Sequence, residues 1–248
     1  MHNPFSLIGK TILVTGASSG IGRSIAIECS KMGANIVLTG RNPERLQETL
    51  LLLQEGQHQY IISDISSEEE IIKLVNQLPT LNGCVHSAGV LGLTPIQTIT
   101  PEKIEHFERV NLHAPILLTK HLIKKKKLDK GSSVVFISSA AGVYRVSMAN
   151  ALYAVTKNGL DAFMRSAALE LASKQIRFNS VNPAIIETES LSNIPISEEQ
   201  KKANVEQYPL KRYGTPEEVA YATIYLLSDA SAWITGTEIK LDGGLTLS

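Results

Sequence analysis

Thr11-Ile-Leu-Val-Thr-Gly-Ala-Ser-Ser-Gly-Ile-Gly22 decides the fold. A short run rich in aliphatic and β-branched residues ends at Thr15, a glycine-rich turn follows, and a helix-period segment continues to Lys31. Strand, glycine turn and helix in that order open a βαβ unit. Gly16, Gly20 and Gly22 let the chain turn tightly and let a pyrophosphate approach the backbone. The helix start around Ser18, Ser19 and Ile21 offers free amides and the positive end of the helix dipole. Three residues separate the first two glycines, so the spacing departs from the GxGxxG fingerprint.

Outward from this stretch the same rhythm repeats. Strands are predicted at 35–39, 60–63 and 84–87, with helices at 43–54 and 67–77 between them. The second half predicts a helix over 101–126, a strand at 133–138, a helix over 151–173 and a strand at 176–181. Thr215-Pro-Glu-Glu218 supplies an N-cap, a first-turn proline and two acids for a last helix, and 237–241 reads as the final strand. Right-handed crossovers wind these elements into an α/β fold: a single doubly wound Rossmann-type domain over 1–248, its seven-stranded parallel sheet covered by helices on both faces. The polar segment 187–206, which carries Pro195, is expected to form a lid over the site.

Composition narrows the class. The chain is 43% hydrophobic and 19% charged with zero formal net charge, which describes a globular protein and gives no reason to expect nucleic acid or an anionic membrane as partner. The first ten residues show neither a basic start nor an apolar stretch of signal-peptide length, and no run approaches a membrane span, so the cytoplasm is the expected location. Cys29 and Cys84 read as small buried hydrophobes, and no metal site is expected. Lys124 to Lys127 reads as a solvated cap at a helix C-terminus.

Three further features bear on chemistry. At the end of the second strand, where a dinucleotide fold meets the adenine ribose, stands Thr39-Gly40-Arg41, with no acid to bind both ribose hydroxyls. Arg41 can pair with a 2′-phosphate, so NADPH (NADP+) is expected in preference to NAD(H). Tyr153 and Lys157 are four apart on a helix, on one face, where a cation next to a phenol favours the phenolate and brings the group toward a useful acid-base range. Ser139 stands where the fifth strand runs out, at the carboxyl edge where open α/β sheets bind ligands.

Together these residues resemble the short-chain dehydrogenase/reductase family, and the match runs from Gly9 to Gly244. It rests on TGASSGIG at 15–22, Asp64-Ile65, Ala88-Gly89, Val110-Asn111-Leu112, Ser139, Tyr153 with Lys157, and Asn182-Pro183. The tail, from Pro209-Leu210 through Gly214-Thr-Pro-Glu-Glu218 to Asp242-Gly-Gly244, looks like the 3-oxoacyl-[acyl-carrier-protein] reductase branch. The resemblance implies a catalytic tetrad of Asn111, Ser139, Tyr153 and Lys157. In it Ser139 polarises a carbonyl, Tyr153 donates a proton, Lys157 lowers the Tyr153 pKa and holds the nicotinamide ribose, and Asn111 keeps a kink and a water. It also implies that Asp64 meets the adenine, that Ile186 and Thr188 meet the nicotinamide carboxamide beside Pro183, and that the chain forms a homotetramer or homodimer.

The chain departs from the family at His86-Ser87, where two asparagines are usual, and at Ala184, where glycine is usual. His86 is expected to be structural, and Ala184 requires a negative φ. The expected activity is an NADPH-dependent carbonyl reductase acting on a small molecule or an acyl thioester. The alternatives are an NAD-dependent sugar, steroid or other alcohol dehydrogenase and a non-catalytic dinucleotide-binding regulator.

Overall fold

Runs rich in aliphatic and β-branched residues become the strands β1 (Thr11–Thr15), β2 (Asn35–Gly40), β3 (Gln59–Ile62), β4 (Leu81–His86), β5 (Leu128–Ile137), β6 (Arg177–Pro183) and β7 (Glu238–Leu241), the five inner ones largely buried and the edge strands β3 and β7 partly open. The structure, a computed structural model, describes residues 3–189 and 197–247. The strands form one parallel sheet in the order β3-β2-β1-β4-β5-β6-β7. The chain leaves β1 toward β2 and leaves β4 toward β5, so a crevice opens outside their carboxyl ends.

The helices are α1 (Gly20–Lys31), α2 (Pro43–Leu51), α3 (Glu68–Gln77), α4 (Pro101–Glu108), α5 (Ala114–Lys124), α6 (Ala151–Leu171), α7 (Glu198–Val205) and α8 (Pro216–Leu227). Asn42 starts α2 by accepting the Arg45 amide at 2.8 Å, and Ser67 and Thr100 cap α3 and α4 in the same manner. Side chains alternate across β5. Val134 and Phe136 enter a core with Leu74, Leu118, Leu160 and Met164, while Val135 and Ile137 enter the opposite core with Ile25, Val219 and Leu226. No helix among the described residues is long and apolar enough to cross a membrane.

Three departures from the sequence reading have local causes. The helix expected over 101–126 is interrupted by a π turn at Arg109–His113. Pro115 has no amide to give the Asn111 carbonyl, and its ring crowds that oxygen, so the helix widens there. β4 begins at Leu81 rather than 84 because Asn82, a polar residue in a strand, takes the Thr11 amide at 2.9 Å with its side-chain oxygen. β5 begins at Leu128 rather than 133. Gly131, with φ +84°, reads as a turn but sits inside an irregular ladder whose register shifts between Leu81 and Gly83. The segment expected to be a lid falls partly on 190–196, outside the described residues, and its described portion contains α7.

Phe136 is fully buried between the His86 ring, stacked at 4.7 Å, and the rings of Phe163 and Phe178 at 6.1 and 6.4 Å. Phe136→Ala is expected to lower the unfolding free energy by about 3–5 kcal/mol in urea titrations followed by circular dichroism. A loss below about 1 kcal/mol would show that this core collapses around the vacancy.

Candidate active site

The glycine turn is built by close approach. Thr15 Oγ1 accepts the amides of Ser87 and Ala88, each at 3.1 Å, which draws the end of β4 onto the end of β1. Gly16 has φ +66°, and a Cβ on it would lie 2.7 Å from Ala88 Cα. A Cβ on Gly22 would lie 2.3 Å from the Gly16 carbonyl oxygen. Ser19 occupies the N-cap of α1 without bonding its amides, and the first turn holds no acid, which leaves those amides to an anion. A cradle that only glycine can line, in front of free helix amides, fits a dinucleotide pyrophosphate. The turn is also anchored: the Arg23 guanidinium donates to the Ser18 carbonyl at 2.6 Å and pairs with Glu48 of α2 at 3.2 Å.

Beside the turn, Ser18 packs toward Gly40, and Arg41 is exposed one residue on. Arg41 lines a cavity of about 240 Å³ with Ser66, His106, Val110, Arg109 and two acids, Glu102 and Glu105, the second of which pairs with Arg109. Burial pushes Asp64 upward, but the Ser66 amide, donating at 3.0 Å, and the Arg41 and Arg109 charges outweigh it and hold this carboxyl below the usual range. Arg109 escapes a sequence reading because only the π turn brings it here. Ile65 belongs to the core with Leu74 and Leu78, so its side chain is a packing residue.

The proposed tetrad positions converge at the carboxyl ends of β4 and β5. Asn111 is buried in the π turn, where its Oδ1 accepts the Val90 amide at 2.8 Å and its Nδ2 donates to the Val90 carbonyl at 3.0 Å. The same stretch brings Asn111 Oδ1 and Lys157 Nζ to 3.3 and 3.6 Å from where a Cβ on Gly89 would stand. Lys157 Nζ donates to the Ile137 carbonyl at 2.8 Å and lies 5.7 Å from the centre of the Tyr153 ring. Ser139 is buried and takes the Ala141 amide on its Oγ at 3.1 Å, and its hydroxyl lies near enough to the Tyr153 phenol to act on its proton affinity.

Electrostatics here run against the sequence-based expectation for the phenol. Burial pushes Tyr153 up to about 12, opposed by the neighbouring Ser139 hydroxyl, while burial pulls Lys157 down to about 8, opposed by the Asp161 charge. Neutral pH therefore leaves Tyr153 protonated and Lys157 mostly charged. Pro183 closes β6 opposite Leu241, and Ala184 lies outside the left-handed region, so its methyl is accommodated. Ile186 bridges to Gly214, and Thr188 reaches over the turn, its Cγ2 at 3.5 Å from where a Cβ on Gly20 would stand. Glu189 pairs with Arg45 of α2 at 3.7 Å, so this segment crosses the crevice. His86 is buried and flat against Phe136, its Nε2 3.1 Å from Thr119 Oγ1. Desolvation pulls it to about 3, and a neutral imidazole held in this way is a packing group.

A family model described as enoyl-(acyl carrier protein) reductase matches residues 16–246. The chain belongs to the short-chain dehydrogenase/reductase family. It is a nicotinamide-dependent oxidoreductase, as that family's members are. A 3-oxoacyl-[acyl-carrier-protein] reductase of Rickettsia felis is 32% identical over 241 residues, which cover 97% of this chain and 98% of the relative. An L-xylulose reductase of Caenorhabditis elegans is 33% identical over 249 residues, covering 98% of each. A solved short-chain dehydrogenase/reductase of Mycobacterium ulcerans is 33% identical with a TM-score of 0.89, covering 98% of this chain and 91% of that one.

Gly22→Ala places its methyl against the Gly16 carbonyl and is expected to weaken nicotinamide dinucleotide binding by about tenfold or more, read by fluorescence titration. An unchanged dissociation constant in a folded variant would remove the turn from the cofactor site.

Proposed function

We propose that this protein is an NADPH-dependent carbonyl reductase whose substrate is an apolar ketone, with a 3-oxoacyl thioester as the leading candidate. The convergence of Ser139, Tyr153 and Lys157 around the ends of β4 and β5 carries this reading. When bound, the reduced nicotinamide supplies the hydride. Ser139 Oγ donates a hydrogen bond to the substrate carbonyl oxygen, and Tyr153 Oη gives that oxygen its proton as negative charge develops there. A phenol held protonated at neutral pH is a donor rather than an acceptor, which favours reduction. The phenolate left behind faces the Lys157 charge. Asn111, locked to both backbone groups of Val90, holds the π turn and the Val90 loop in place behind Lys157.

Arg41 next to Gly40, with no acid at the end of β2, supports NADPH over NADH, because a guanidinium recognises the 2′-phosphate. The segments that flank the reacting centre support an apolar substrate over a sugar. Residues 87–100 contain no charged side chain, and 139–150 contain only Arg145, which is engaged by Gln207 and the Leu245 carbonyl. Leu91, Leu93, Val143 and Met148 stand exposed on these two segments. The segments are joined by the Thr94 amide donating to the Ala149 carbonyl at 2.6 Å. Homotetramer formation belongs to the same proposal and is checked by light scattering. Exposed Leu169 on α6 and Trp233 ahead of β7 supply apolar area for it.

Tyr153→Phe is expected to lower kcat by about 10² to 10⁴-fold while NADPH binding is kept, and an unchanged rate would remove Tyr153 from the chemistry. Arg41→Ala is expected to weaken NADPH by about tenfold to a hundredfold and to leave NADH unaffected. Equal losses for both cofactors would end the phosphate assignment. Across a series of 3-oxoacyl thioesters, kcat/KM is expected to rise about threefold to fourfold per seated methylene. Faster turnover of L-xylulose would favour a sugar reductase instead. Activity is expected to fall as pH rises through about 8, where Lys157 loses its proton.

A further inference from the structure

α6 carries a second buried charge that the proposed chemistry leaves unused. Asp161 lies one helical turn after Lys157 and is fully buried, as no other carboxylate among the described residues is. Its Oδ2 accepts the Ser138 hydroxyl at 2.9 Å and the Asn182 side-chain amide at 2.8 Å. Ser138 precedes Ser139, and its Oγ is also 3.1 Å from the Lys157 carbonyl oxygen. Asn182 precedes Pro183. Its Nδ2 lies 3.4 Å from the Ser139 carbonyl oxygen, and its Oδ1 accepts the Ser180 hydroxyl at 2.8 Å. One carboxylate therefore meets the end of β5, the end of β6 and the helix turn that bears Lys157.

We propose that Asp161 is the positioning residue of the site, the group that fixes Ser139, Lys157 and Pro183 relative to one another. A neutral side chain could fill this space without desolvating a charge, and Asp161 still has its Oδ1 without a partner among the described residues. A carboxylate kept at that disadvantage is a device for precision rather than for stability. The charged and titratable groups around it are Lys157 on its own helix, Tyr144 on the segment after β5 and Glu238 on β7. Of these, Lys157 is the group whose charge Asp161 supports: its field raises Lys157 against the pull of burial. Removing the charge moves Lys157 proton loss to lower pH.

The inference rests on the carbonyl-reductase reading, and its test separates the two. In Asp161→Asn with NADPH and a ketone substrate, kcat is expected to fall by about tenfold to a hundredfold with little change in KM. The alkaline limb of the kcat profile is expected to move to lower pH. In the protein without cofactor, the Lys157 ¹³Cε titration followed by NMR is expected to move in the same direction. A merely structural role would lower the melting temperature and leave the kcat of the folded protein and both titrations in place, which would overturn the proposal. Should Asp161→Asn fail to fold, Ser138→Ala decides. It keeps the carboxylate and removes one tie, so a reduced kcat with an unmoved Lys157 titration supports the role and a wild-type kcat overturns it. Wild-type protein that turns over no ketone would end the functional reading, while the NMR titration would still report on Asp161 and Lys157.

Discussion

Two amides from the end of β4 donate to the one hydroxyl of Thr15, and the rest of the site depends on that junction. β1 and β4 are neighbours whose onward chains diverge, so their carboxyl ends would naturally splay. The Thr15 hydroxyl closes them, and Gly16 lets the two backbones touch where any side chain would collide with Ala88. With that junction shut, the helix amides behind Ser19 and the Gly89–Asn111–Lys157 cluster face the same crevice. A displaced β4 would move the Val90 loop, and through its paired bonds to Asn111 it would move the π turn as well.

The proposed acid-base residues occupy a site in which burial acts on both partners. Desolvation disfavours the phenolate and the ammonium alike, so Tyr153 holds its proton more firmly while Lys157 holds its own less firmly. The compensating groups are local and specific: Ser139 for the phenol, Asp161 and the Ile137 carbonyl for the ammonium. The helical spacing of the pair gives proximity alone. The protonation states follow from what the neighbouring strands place against it.

The succession of strands and helices and the glycine turn were legible in the sequence because their signals are local. β-branched runs, a left-handed glycine and a capped helix start each act within a few residues. Tyr153, Lys157 and Ser139 were legible for the same reason, as a helical interval and a strand end. The π turn was signalled only by the resemblance, which implies a kink at Asn111; in the residues themselves 101–126 keeps an apolar period and the sign is Pro115, which a first helical turn also tolerates. Arg109 beside Arg41, Val90 on Asn111 and Asp161 under the strand ends stayed hidden because each depends on contacts between distant elements. The early start of β4 was hidden by Asn82, a polar residue that works as a strand partner through its side chain.

The widened turn at Arg109–His113 also constrains how long this part of the chain can be. A π turn absorbs one residue more than the regular pitch, so deleting a single residue there would restore an ordinary helix while the helices on either side keep their faces. What would be lost is the bulge itself, and with it the paired grip of Asn111 on the Val90 backbone. What sets the length of this part of the chain is thus the side chain that the bulge presents to the Val90 loop, and not the register of the helices on either side.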